Sequence, residues 1–190
     1  MIGYQAGRLT TSGIWNTFSG GNAGEYNTTG NHNVFTGFET GRFNSTGRYS
    51  SMIGFNAGRA SNGDYNTFVG YQASYSNGTG VGNVSLGRSA NTNNSGGSYN
   101  VAIGYEAGAG SVTHSKNNGV YIGYRAGYSD TTDQKLYIEN SNSTTPLIYG
   151  DFANDSLKVY GNLSIGDEFS FPSTDGTNGQ FLKTNGSGSI

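Results

Sequence analysis

Cysteine is absent from the 190 residues, so no disulfide and no thiolate metal site can be drawn. Charge is nearly as scarce: Asp, Glu, Lys and Arg make up 12 % of the chain, the net charge is −2, and no stretch gathers Lys and Arg. That balance argues against a phosphate-neutralising, nucleic-acid-binding surface. No run of 18 apolar residues occurs, so membrane insertion through an apolar helix is not expected. Hydrophobic residues reach only 33 %, against roughly 45–50 % apolar in an ordinary domain. Chains that are disordered for want of apolar residues are usually charged and poor in aromatics. This one has 14 Tyr, 10 Phe and one Trp at regular intervals, and reads as ordered around a thin core.

What is abundant is glycine, 33 residues of it, and it is periodic. A marker glycine returns at Gly3, Gly20, Gly37, Gly54, Gly70, Gly87, Gly104 and Gly123, at steps of 17, 17, 17, 16, 17, 17 and 19. Seven residues before six of these stand Gly13, Gly30, Gly47, Gly63, Gly80 and Gly97, and three residues after come Ala6, Ala23, Thr40, Ala57, Ala73, Ala90, Ala107 and Ala126. Fixed-period self-similarity of this kind predicts an all-β solenoid of about eight coils of about 17 residues. Gly20, Gly37, Gly54, Gly70, Gly87, Gly104 and Gly123 are expected at turns, and the alanine phase at a corner that admits nothing larger. Met1 stands at the phase of Phe18 and Met52, so the chain reads as a fragment or as one part of a longer fibre.

The residues leading into each marker glycine (Asn16-Thr17-Phe18-Ser19, Asn33-Val34-Phe35-Thr36, Asn66-Thr67-Phe68-Val69) alternate with period two and predict one strand per coil. One face carries small and medium β-branched residues suited to a narrow interior: Val34, Ile53, Val69, Val84, Leu86, Val101, Ile103, Val120 and Ile122. The other carries Phe18, Phe35, Met52, Phe68, Ala102 and Tyr121, expected outward as an apolar stripe that a partner must cover. Identical rods around a common axis would bury it, which makes those six residues the expected interface between copies; that the copies number three is implied only by the resemblance given below. The alternative left open is a coil wide enough to hold both faces inside.

The chain offers little chemistry. His32 occupies an aromatic phase shared with Trp15, Tyr49, Tyr65 and Tyr99, and His114 falls in the one lengthened coil as an expected exposed loop residue. Glu39 and Glu106 share a phase with Asn22, Asn56, Gln72 and Arg125, which reads as a solvated row rather than an acid/base pair. Asp130 with Asp133, or Asp151 with Asp155, would be needed for a calcium site, but the recurring Asp of calcium-binding rolls is missing. The segment 78–82, Gly-Thr-Gly-Val-Gly, lacks the Lys-Ser/Thr and the βαβ setting of a phosphate loop. No serine has a His partner. No enzyme activity, cofactor or metal is expected.

The segments Tyr99–Gly108 (YNVAIGYEAG) and Tyr65–Ala73 (YNTFVGYQA) resemble the head repeats of trimeric autotransporter adhesins, and still more the repeats of phage tail fibres and large bacterial surface proteins. The resemblance covers residues 1 to about 128. It implies a left-handed parallel β-roll, three chains side by side, and an extracellular role at a virion tail or bacterial surface. Residues 129–168 read as a β neck of short strands, with the period lost from Gln134, and residues 169–190 as a linker toward a stalk, mobile over 185–189. The expected function is a structural or adhesive fibre segment with host-surface glycan or protein as further partner. The competing class is a monomeric binding solenoid, ice- or glycan-binding, using the ladder Asn16, Asn33, Asn66, Asn83 and Asn100.

Overall fold

A computed structural model describes residues 1–161, 163–165 and 169–171; the linker residues 172–190, with the segment 185–189, lie outside the described residues. Among the described residues there is no helix. Seven three-residue strands follow one another at the repeat interval: β1 Thr17–Ser19, β2 Val34–Thr36, β3 Ser51–Ile53, β4 Thr67–Val69, β5 Val84–Leu86, β6 Val101–Ile103 and β7 Val120–Ile122. Each pairs in parallel with the next, in register, so that Phe18 lies against Phe35 and Phe35 against Met52. The chain is therefore a parallel β-solenoid in which one sequence repeat is one coil.

The coil closes because left-handed backbone recurs at fixed phases. Trp15, His32, Tyr49, Tyr65 and Tyr99 have φ of 55–60°, and Gln5, Asn22, Glu39, Asn56, Gln72, Ser89, Glu106 and Arg125 have φ of 51–57°. These conformations cost L-residues about 1–3 kcal/mol each. Their amides are used between coils, as in Asn22 N–H to the Tyr4 carbonyl (2.7 Å), Glu39 to Gly21 (2.8 Å) and Tyr65 to Arg48 (2.9 Å). The marker glycines have φ of +116° to +139° and stack in a column, and from Gly20 to Gly123 each is hydrogen-bonded through its N–H to the preceding coil.

The strand faces are the reverse of the expectation. Phe18, Phe35, Met52, Phe68, Ala102 and Tyr121 are fully buried inside the single chain, and so cannot form a trimer interface. Conversely Val34, Ile53, Val69 and Ile103 are 38–46 % exposed, and Val84, Leu86, Val101, Val120 and Ile122 are half-exposed; none fills the interior. The reason lies on the opposite wall. There the corner residue is alanine, buried at Ala23, Ala57, Ala73, Ala90, Ala107 and Ala126, followed by a glycine in six of eight coils. Small residues leave the width a phenyl ring needs: a Cβ on Gly24 would stand 2.7 Å from the Phe18 ring, and one on Gly41 would stand 2.6 Å from Phe35. The rings then stack along the axis, Phe18 on Phe35 at 5.1 Å and 13°.

Two asparagine ladders complete the interior. Asn33, Asn66, Asn83 and Asn100 are buried, not displayed, which removes the surface ladder expected for ice binding. Asn33, Asn66 and Asn83 donate to the glycine carbonyls of Gly47, Gly80 and Gly97, all at 2.8 Å, and Asn100 donates to the Lys116 carbonyl at 2.7 Å. Their Oδ1 atoms accept backbone N–H groups of the next coil, as in Asn83 N–H to Asn66 and Asn100 N–H to Asn83, both 2.9 Å. The second ladder, Asn27, Asn44, Asn77 and Asn94, crowds the glycines seven residues before the markers. An amide stands within 2.7 Å of where a Cβ of Gly13 or Gly80 would be.

The repeat also extends further than the sequence suggests. Strand β8, Lys135–Ile138, continues the parallel ladder with Val120 against Leu136 and Tyr121 against Tyr137, although Glu139 replaces the marker glycine. The expected boundary at 128 and the loss of period from Gln134 thus cut through a coil. Beyond it the sheet turns antiparallel through β9 Ile148–Asp151 and β10 Ser156–Val159. Strands β11 Leu163–Ile165 and β12 Phe169–Phe171 form a separate hairpin across the expected 168/169 boundary.

Candidate interaction face

With the phenyl rings inside, the outward side of the sheet belongs to two columns. One is Thr17, Val34, Ser51, Thr67, Val84, Val101 and Val120; the other is Ser19, Thr36, Ile53, Val69, Leu86, Ile103 and Ile122. Two residues outside each column runs an exposed aromatic ladder. On one side Trp15, His32, Tyr49 and Tyr65 stack at 4.6–5.0 Å, so His32 does take an aromatic rung. On the other Phe38, Phe55 and Tyr71 stack at 5.5 and 5.3 Å, the Arg88 guanidinium lies between Tyr71 and Tyr105, and Tyr124 follows. Across these four columns, from 15 to 124, Arg88 is the one Asp, Glu, Lys or Arg. Seven coils at about 4.8 Å each stack these columns into one continuous outward face.

Charge is gathered elsewhere on the coil. Buried Glu25 is held between Arg8 (2.8 Å) and Arg42 (2.7 Å), and Glu39 bridges Arg42 and Arg59 at 2.6 Å each. Glu106 pairs with Arg125 at 3.0 Å. Glu39 and Glu106 are therefore ion-paired rather than simply solvated, and Arg59 and Arg42 hold the Glu39 carboxyl below the usual range despite its partial burial. The carboxylates considered for calcium are engaged within the chain: Asp130 by Tyr121 and Thr132, Asp133 by Asn117, Asp151 by Lys135 and Asn154. Asp155 stands in the turn before β10. Among the described residues no group of three or more His, Asp and Glu converges.

The lengthened coil holds what sequence reasoning missed. His114 is buried, not exposed, with Nε2 3.1 Å from the Ala109 carbonyl. Lys116 sits at a phase that is glycine in six coils; its side chain is fully buried, and Nζ donates to the Asp130 carbonyl at 3.0 Å with the Tyr121 ring 4.3 Å away. The ammonium thereby caps the end of the interior, where the asparagine ladders stop. A hollow of about 230 Å³ lies alongside, lined among others by Ser129, Asp130, Thr132, Tyr137, Ser143 and Thr144.

Burial, and then the Lys116 charge, hold the His114 imidazole down to about 4, and burial holds Lys116 down to about 8. Both groups bind fewer protons folded than unfolded, so each contributes stability that is present above its unfolded pKa and lost as pH falls through the folded one. Stability should therefore fall from pH 6.5 toward 4 through His114. It should rise from pH 8 toward 10 through Lys116, until ionisation of unfolded Tyr opposes it, because Tyr121 and Tyr137 are pushed up by burial. Urea midpoints of the wild type should increase between pH 8 and 9.5, and Lys116→Met should flatten that rise.

Searches against family models, curated proteins and solved structures gave no match.

Proposed function

We propose that this chain is a structural and adhesive fibre segment, tail-fibre-like or surface-adhesin-like and extracellular, that works as a homotrimeric rod without catalysis. The observation that carries the reading is an outward face with a single charged residue, Arg88. Monomers seldom leave a contiguous apolar patch of several hundred Å² uncovered, and this face runs along seven coils with Val34, Ile53, Val69 and Ile103 exposed on it. Around a three-fold axis each face meets those of both partner copies, and with so little charge on it self-association needs no complementary charges; three rods then multiply weak contacts with a host surface. A protein surface suits such contacts better than sugar stacking, since the ladder rings face one another and present mainly edges to solvent.

Light scattering tests this reading. The wild type should give about three times the 19.9 kDa chain and resist heating in detergent, while Val69→Glu with Ile103→Glu should give the single-chain mass with unchanged circular dichroism. A folded wild-type monomer at every concentration would contradict it. The second reading, a monomeric binding solenoid, then takes its support from the same flat Thr and Val columns at one repeat per coil. Thermal hysteresis of the monomer would be its signature.

A further inference from the structure

Three aromatic ladders run along the rod; Met52 and Ala102 inside, and Asn118 and Gly21 outside, each interrupt one of them, but β5 is the one level at which all three lack a ring. At β5 the interior phenyl is replaced by Ser85, the first outer ladder has Gly82 between Tyr65 and Tyr99, and the second has Arg88. The buried apolar residues divide there into two clusters, Phe18 to Ala73 and Ala90 to Ala126. Between them lies polar interior. The Ser74 and Ser85 hydroxyls meet at 2.8 Å, and fully buried Asn91 has no hydrogen-bond partner on either side-chain amide atom.

Ser74 and Asn91 occupy the phase that is otherwise Gly7, Gly24, Gly41, Gly58, Gly108 and Gly127, with the same left-handed φ, 47° and 54°. The substitutions are linked. Large interior side chains pack on those glycines, as Phe18 does on Gly7 and Gly24, and Tyr121 on Gly108 and Gly127. Where the ring is lost, the glycine wall gains side chains that partly refill the space with polar atoms. This level thus loses ring stacking and apolar burial, and adds backbone strain and an unpaired amide.

We infer that β5 is a built-in joint, at which the solenoid divides into two units that open separately. The stability of a solenoid is close to a sum over neighbouring coils, so its weakest contact sets where one part can open while the other stays folded. The backbone bonds across the level are intact, Gly87 N–H to Val69 and Val84 N–H to Asn100 at 2.8 Å each, so the rod is continuous at rest. The inference does not rest on the fibre reading.

Native-state hydrogen exchange on the whole chain tests it. The amides of Val84, Gly87 and Ser89 should exchange at least tenfold faster than those of β2, β3 and β7, with the two flanking units forming separate opening groups. Restoring the pattern with Ser74→Gly, Ser85→Phe and Asn91→Gly together should slow exchange at β5 at least tenfold and merge the groups. Ser85→Phe alone should be destabilised by the two remaining side chains. Uniform protection along the wild-type rod, or a folded triple variant that exchanges no more slowly at β5, would overturn the joint; the wild-type measurement decides even if the triple variant fails to fold.

Discussion

Gly54→Ala should lose about 4 kcal/mol or more, placing it among the exceptional single substitutions. Gly54 has φ of +133°, and a Cβ there would stand 2.7 Å from the carbonyl carbon of Gly70 and closer still to its oxygen. The obstacle is backbone, and that backbone is tied in place by Gly70 N–H to the Ile53 carbonyl at 2.8 Å. The new methyl can be accommodated only by parting two coils. Gly21→Ala provides the contrast. Its Cβ would meet only the edge of the Phe38 ring at 3.2 Å, a side chain free to swing outward, and the expected cost is below about 1 kcal/mol. Denaturant midpoints of the two variants measure the difference directly.

The second large effect separates the two faces of a single strand. Phe35→Ala should cost about 3–5 kcal/mol, the range for deleting a buried ring and leaving a cavity. The ring is fully buried, stacked on Phe18 and seated on Gly41. Its immediate neighbours point the other way: Val34 is 40 % exposed and Thr36 is exposed. Val34→Ala and Thr36→Ala should each stay within about 1 kcal/mol in a monomeric state. Urea unfolding of the three variants at one low protein concentration checks the order.

This contrast also shows what the sequence could and could not carry. The coil, its length, the strand before each marker glycine and the stacking of like on like were legible, because a 17-residue period leaves no other economical arrangement. The direction of the strand was not. Three residues alternate in-out-in or out-in-out equally well, and both faces here are apolar, so periodicity alone cannot assign the inside. The deciding signal sat elsewhere in the repeat. Ala23-Gly24, Ala57-Gly58 and Ala107-Gly108 make a wall with almost no side chain, which requires a large residue opposite, and only Phe, Met or Tyr supplies it.

Variation between coils within this one chain repeats the message. Where the ring shrinks to Ser85, the wall grows to Ser74 and Asn91. Residues that compensate in volume are residues in contact. The left-handed aromatics were legible only as a shared aromatic phase, since Trp, His and Tyr are not residues that announce positive φ. The eighth rung was hidden because Glu139 stands where a glycine was sought, and the Lys116 cap because a lysine at a glycine phase looks like a loop. The outward face that now carries the functional reading was visible as residues and misplaced as geometry.

The absence of native cysteine makes the central claim, rings inside and β-branched residues outside, directly measurable. Met52→Cys and Ile53→Cys place one thiol on each side of the same strand, and their reactivity toward an aromatic disulfide reagent can be followed alongside particle mass. The thiol of Met52→Cys should be protected at least a hundredfold at every concentration. That of Ile53→Cys should react freely in dilute monomer and lose reactivity as the mass approaches three chains. A Met52→Cys thiol that reacts as fast as a free thiol in folded protein, or an Ile53→Cys thiol protected in a particle of single-chain mass, would contradict the account.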